Sequence, residues 1–226
     1  MNPRIGRASE RNPEAVPTVF VVDDDAGVRK SLRLLIETVR LPVETYSSAD
    51  EFLEACTPER PGCLVLDLRM PGTSGLELQE QLARKGCRLP IIFITAHGDV
   101  STAVRAIRAG AVHFFEKPFS SQELLDTIHK ALAADGKARE LEARREEARL
   151  LLARLTPRER QVCARLVLGA PVKAIAADLL MAKKTCDVHR ANIFRKMMVT
   201  TLPELVRKFL LATGEGEGGA PGPAPA

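Results

Sequence analysis

The chain has 226 residues, enough for one large or two modest domains, and its 45% hydrophobic and 27% charged residues are those of an ordinary globular protein. No apolar run approaches the roughly 18 to 20 residues of a membrane span and the first 17 residues lack a signal-peptide core, so a cytoplasmic protein without membrane attachment is expected. The net charge of +4 hides a division: residues 17–133 carry 13 Lys+Arg against 16 Asp+Glu, a net of −3, whereas residues 154–212 carry 12 against 4, a net of +8.

Residues 1–16 show no periodicity and are expected to be a disordered arm. Thr18 to Val22 then forms a short β-branched run that ends in three consecutive acids, Asp23, Asp24 and Asp25. Such a cluster is tolerable on a solvated turn or around a cation that neutralises it. Val28, Leu32, Leu35, Ile36 and Val39 follow at helical spacing, which places the acids between a strand and a helix. The unit recurs. Val43 to Tyr46 is a strand, with a helix from Ser48 through Phe52, Leu53 and Cys56. Leu64 to Leu66 is another, delivering Asp67 at its end before Pro71-Gly72 turn the chain into a helix with Leu76, Leu78 and Leu82. Ile91 to Ile94 stops at Thr95, followed by a helix through Val100, Val104 and Ile107. Gly110 marks its end, Val112 to Phe115 is the fifth strand, and Ser120 or Ser121 caps a fifth helix through Leu124, Leu125, Ile128 and Leu132.

Five strands alternating with five helices predict a doubly wound, five-stranded parallel sheet. All strands of such a sheet end on one edge, where α/β folds bind their ligands, so Asp23, Asp24, Asp67, Thr95 and Lys117 are expected together there. From these residues the segment resembles the receiver domain of two-component response regulators, through LVLDLRMPG, IFITAHGD and FFEKPF over residues 18–133, a flavodoxin-like fold. The resemblance implies that Asp67 accepts a phosphoryl group from a sensor histidine kinase. It implies that Asp24, Asp67 and the backbone carbonyl of Arg69 bind Mg²⁺ directly, with Asp23 acting through water, that Lys117 pairs with a phosphoryl oxygen before a cis proline, and that Thr95 and Phe114 move together as a switch. Mg²⁺ suits a site with few carboxylates because it keeps several waters. Arg69 and His97, each two residues beyond an expected site residue, are candidates for tuning hydrolysis of the acyl phosphate.

From residue 134 to 153, helix formers carry opposite charges three and four residues apart, with five bases cancelling five acids over 135–149, and a solvated linker helix is expected. Thr156-Pro157-Arg158-Glu159 is a capping box that opens a second domain over 154–212. Its helices run through Val162 and Leu166, Val172 to Leu179, Lys183 to Lys196, and Leu205 to Leu210. Four short helices with a basic third one resemble the LuxR-type helix-turn-helix domain of the NarL/FixJ response regulators, through LTPRERQV, VHRANIFRKM and LPELVRK. The resemblance implies promoter DNA as partner, a homodimer on phosphorylation, and contacts from Lys173, Lys183, Lys184, Thr185, His189, Arg190, Asn192, Arg195 and Lys196. The chain departs from the family with Leu180 and Met198 where Gly is usual and Ala182 where a Ser N-cap is usual. The tail over 213–226 is expected to be disordered. The five cysteines form no C-x-x-C pair and read as reduced thiols. A receiver module acting through protein contacts after loss of DNA binding is the alternative. An aspartyl-phosphate hydrolase is disfavoured because no second acid near Asp67 in the sequence is placed to activate water.

Overall fold

The computed structural model describes residues 16–96 and 100–215. Most of the expected arm, the tail beyond 215 and His97 lie outside the described residues. Two compact units divide the chain, one reaching Arg139 and the other starting at Glu140.

In the first unit, β1 (Thr18–Val22), β2 (Val43–Tyr46), β3 (Gly62–Asp67), β4 (Ile91–Thr95) and β5 (His113–Glu116) alternate with α1 (Ala26–Thr38), α2 (Ala49–Ala55), α3 (Gly75–Arg84), α4 (Val100–Arg108) and the first part of α5 (Ser121–Ala153), whose residues from Glu140 onward belong to the second unit. The sheet is parallel throughout, in the order β2-β1-β3-β4-β5, so the doubly wound topology predicted from the alternation is the one adopted. The order reverses between β1 and β3, the point beyond whose strand ends open α/β sheets bind their ligands.

Both faces of the central strands are covered, which is why they are apolar without alternation. Phe20, Val22, Leu64, Leu66 and Phe93 pack with Phe52 of α2, Leu78 and Leu82 of α3 and Ala106 of α4. Val19, Val21, Cys63, Val65, Ile92 and Ile94 pack with Leu32 and Ile36 of α1 and Leu124 and Ile128 of α5. Each large side chain in these layers contributes about 1.5–3 kcal/mol through burial.

The charged stretch after Ala133 is continuous with α5, since no proline interrupts it. It is not solvated on all sides. Asp135 is only 5% exposed, and its Oδ2 accepts from the Gly62 N–H at 3.0 Å and from Arg139 Nε at 2.7 Å. Arg139 also donates to the carbonyls of Pro58, Glu59 and Arg60. Gly62 permits this approach to the first strand: at its φ of +156° a Cβ would stand 2.0 Å from the Thr18 carbonyl oxygen. Beyond Arg139 pairs of the expected spacing form, Arg144 with Glu140 and Arg149 with Glu146, and Arg149 also reaches Glu142 two turns back.

The second unit contains α6 (Pro157–Val167), α7 (Val172–Asp178), α8 (Lys183–Lys196) and α9 (Leu202–Thr213). Thr156 and Glu159 form the predicted capping box on α6. Val162, Cys163, Leu166, Ile175, Cys186, Ile193, Met197 and Leu205 make its core. Leu180, in the turn between α7 and α8, has φ +51° and Met198, after α8, has φ +52°. These are the two positions where the LuxR-type resemblance has glycine, and the chain keeps the left-handed turns without it. Helix α9 extends to Thr213 and ends on Gly214 in the left-handed conformation, slightly past the expected start of the tail.

Candidate functional site

The carboxyl edge of the sheet brings the acids and the lysine together. Asp67 ends β3 and Asp23 follows β1, and both are buried. Lys117 Nζ donates to Asp23 Oδ2 at 3.1 Å and to Asp67 Oδ1 at 3.3 Å, one ammonium between two carboxylates. The Lys117 N–H donates to the Thr95 carbonyl at 2.7 Å, tying the loop after β5 to the end of β4, and the Lys117-Pro118 bond is cis. Thr95 is 1% exposed and stands one residue past Ile94, the β4 partner of Asp67. Phe114 is half-buried, with its ring 6.4 Å from that of Phe93 on the neighbouring strand.

The three adjacent acids have separate surroundings. Asp25 is the N-cap of α1, accepting from the Gly27 N–H at 2.7 Å and the Val28 N–H at 3.2 Å, which hold its carboxyl below the usual range. Asp23 Oδ1 accepts from the Asp25 N–H at 2.8 Å, and Arg29 donates to the Asp23 carbonyl. Asp24 is exposed on the same turn. Asp25 is thus occupied as a cap, and Asp23 and Asp24 are left at the edge of the sheet.

Burial pushes the Asp67 carboxyl above the ordinary aspartate range; the Asp23 charge adds to this, while the Arg69 N–H, at 2.8 Å from Oδ2, and Lys117 oppose it. Burial works to lower the Lys117 ammonium, but the two carboxylates outweigh it and hold it above the usual lysine range. The pocket therefore carries more negative charge than one lysine neutralises. Its donors are carboxylate and carbonyl oxygens, the hard set that Mg²⁺ prefers. Among the described residues no three His, Cys, Asp or Glu side chains close into a metal cage. Asp23, Asp24, Asp67 and the Arg69 carbonyl fit an ion that keeps waters of its own.

Gly75 is a site-supporting residue that motif reading missed. A Cβ there would meet the Asp67 carbonyl oxygen at 2.4 Å and the Phe93 ring at 3.0 Å, and the Gly75 N–H donates to the Leu68 carbonyl at 3.0 Å. The Ser74-x-x-Glu77 capping box was the available signal, because it starts α3 directly against the end of β3.

On α8 the buried residues Cys186 and Ile193, with Met197 at its C-cap, form one stripe, which leaves Lys183, Lys184, Thr185, Arg190 and Arg195 exposed. Lys173 on α7 is exposed as well, and His189 and Asn192 are half-buried. Arg190 lies over the Phe194 ring at 5.3 Å, and Arg195 donates to Asn192 Oδ1. Lys196 turns the other way: its Nζ donates to the buried Glu159 at 2.6 Å. Ala182 caps α8 without a side-chain hydrogen bond.

Residues 19–129 match the response regulator receiver domain and residues 153–209 match the bacterial regulatory proteins of the luxR family. The transcriptional regulatory protein FixJ of Azorhizobium caulinodans is 44% identical over 200 residues, covering 88% of this chain and 94% of that protein. The chain belongs to the NarL/FixJ family of response regulators. The response regulator protein TodT of Pseudomonas putida is 43% identical over 189 residues, covering 84% of this chain and 83% of that protein. The solved structure of response regulator StyR superimposes with a TM-score of 0.79 at 47% identity, covering 86% of this chain and 98% of that one. The regulator is thus a transcriptional response regulator rather than a classical enzyme. Its receiver is of a family that generally binds Mg²⁺ at the acidic pocket, and its two domains imply a histidine kinase and DNA as partners. The reading in which DNA binding is lost is not favoured, since the luxR match covers α6, α7 and α8 and reaches into α9.

Proposed function

We propose that Asp67 is the phosphoacceptor of this regulator and that its phosphorylation by a histidine kinase promotes homodimerisation and promoter binding through α8. The observation that carries the assignment is the Lys117 ammonium shared between Asp23 and Asp67 at the topological switch point. An Asp67 carboxylate oxygen attacks phosphorus in line with the leaving group of the phosphohistidine or of a small acyl phosphate. Lys117, already within hydrogen-bond distance of Asp67, holds an oxygen of the incoming phosphoryl group. The Thr95 hydroxyl then serves as a donor to that group, and Phe114, half-buried beside Phe93, takes the space that Thr95 vacates.

Asp24, Asp67 and the Arg69 carbonyl would hold Mg²⁺ directly, with Asp23 acting through water, and the ion would supply neutralisation of the charge that gathers on the phosphoryl oxygens. The receiver in this reading catalyses its own phosphoryl transfer and dephosphorylation, with no turnover of a free substrate. A phosphoryl group adds about −1.5 to −2 charge and three acceptor oxygens, enough to bias a two-state loop.

The test is incubation of the full chain with acetyl phosphate and Mg²⁺, followed by mass spectrometry. One phosphoryl group on the peptide containing Asp67 is expected, with none on the Asp67→Asn variant and tighter binding of promoter fragments by the labelled parent. Equal labelling of parent and Asp67→Asn would overturn the assignment.

A further inference from the structure

Of the five cysteines, Cys63, Cys163 and Cys186 are each buried in a core, while Cys56 and Cys87 face one another. Their sulfurs are 3.3 Å apart, although the residues lie 31 positions apart in sequence. Cys56 is the C-cap of α2, its N–H bonded to the Phe52 carbonyl at 2.8 Å; Cys87 follows α3, its N–H bonded to the Leu82 carbonyl at 3.0 Å. Lys85 spans the same junction, donating to the Leu53 carbonyl at 2.8 Å. Both sulfurs therefore sit on backbone fixed by helix termini, and Cys56 is half-exposed to solvent whereas Cys87 is buried. A disulfide of about 2.05 Å needs the two sulfurs to approach by little more than 1 Å.

We propose that Cys56 and Cys87 are a redox-modification site, a dithiol that a hydroperoxide converts into an intramolecular disulfide. Cys56, the more accessible sulfur, loses its proton to water and attacks the terminal peroxide oxygen. The O–O bond breaks, the alkoxide leaves and takes up a proton, and Cys56 becomes a sulfenic acid. Cys87 sulfur attacks Cys56 sulfur, the S–O bond breaks, and the hydroxide leaves as water with the Cys87 proton. In sum one hydroperoxide and two thiols give one disulfide, one alcohol and one water. The two sulfurs together lose two electrons and the peroxide oxygens gain them.

Burial, the Cys87 sulfur and its charge push the Cys56 thiol up to about 12, so the reacting thiolate is scarce at neutral pH and the rate rises about tenfold per pH unit over the working range. The product ties α2 to the far end of α3 from Gly75, so phosphoryl uptake at Asp67 is expected in both redox states. This separates the proposal from the phosphoacceptor assignment.

The experiment is exposure of the folded full chain to tert-butyl hydroperoxide at pH 7.5 and 8.5, alkylation of remaining thiols, digestion and mass spectrometry. The expected result is one linked Cys56–Cys87 peptide, reversed by dithiothreitol and formed about ten times faster at pH 8.5. The expected oxidised parent melts several degrees higher, and Cys56→Ser and Cys87→Ser variants show no such shift. A chain that remains fully alkylatable, a dimer linked through Cys56, or over-oxidation of Cys56 without the linked peptide would each overturn it.

Discussion

Lys117 between Asp23 and Asp67 shows how single residues are assigned work that their neighbours in sequence do not share. Among three adjacent acids, Asp25 caps α1 and Asp23 faces the lysine. Lys117→Met leaves two buried carboxylates without their cation, and the expected result is at least a tenfold slower uptake from acetyl phosphate with a folded receiver, measured by phosphoprotein mass spectrometry. Backbone geometry at single positions gives a prediction of opposite sign. Leu180 is 93% exposed and Met198 68% exposed, so neither contributes much packing, yet both hold positive φ. Leu180→Gly and Met198→Gly are each expected to stabilise the second unit by about 1 kcal/mol, read as a rise in its Tm. Gly75→Ala acts in the other direction. Its Cβ cannot fit beside the Asp67 carbonyl, and a loss of about 1–3 kcal/mol in urea unfolding is expected.

At the scale of elements, two ion pairs join helices to distant parts of their own unit. Asp135 and Arg139, paired with each other on α5, attach that helix to the start of β3 and the loop before it through four hydrogen bonds. Arg139→Ala leaves a buried carboxylate with the Gly62 N–H alone, and a loss of about 3 kcal/mol is expected, with faster amide exchange along residues 134–142. Glu159 joins the start of α6 to the end of α8. Burial opposes its ionisation, but Lys196 and Thr156 outweigh that and hold its carboxyl below the usual glutamate range. A carboxyl with a depressed folded value contributes stability that is present above the unfolded value of 4.5 and is lost as pH falls through the folded value. The second unit should therefore lose stability as pH is lowered below about 4.5, and Glu159→Gln should flatten that dependence in thermal melts.

For the whole molecule, charge segregates by domain, with −3 over residues 17–133 and +8 over 154–212. Binding of promoter fragments should therefore weaken steeply with salt, and the slope of log affinity against log salt should become shallower by about 1 for each phosphate contact removed. Lys184→Ala and Lys183→Ala, which remove exposed cations, are expected to show this change with an unaltered Tm. Lys196→Ala should instead lower the Tm, because that side chain neutralises Glu159. Fluorescence anisotropy across a salt series, paired with thermal melts, distinguishes the two outcomes.

Periodicity and strand-end residues were sufficient to read the topology, the capping box on α6 and the gathering of Asp23, Asp67, Thr95 and Lys117 at one sheet edge, because each is a local pattern repeated along the chain. Local patterns do not say which partner a side chain finds. Lys196 reads as one more DNA-contacting cation of the basic helix, and Asp135 as one of five acids cancelled by five bases. Only the folded chain brings Lys196 to Glu159 across 37 residues, Asp135 to Gly62 across 73 and Lys117 to Asp23 across 94. The sequence by itself determined which elements form and in what order, but not that the fifth helix and the linker are one helix reaching Ala153. Tertiary packing decided which charges are buried against each other, since burial depends on neighbours that spacing along the chain does not encode.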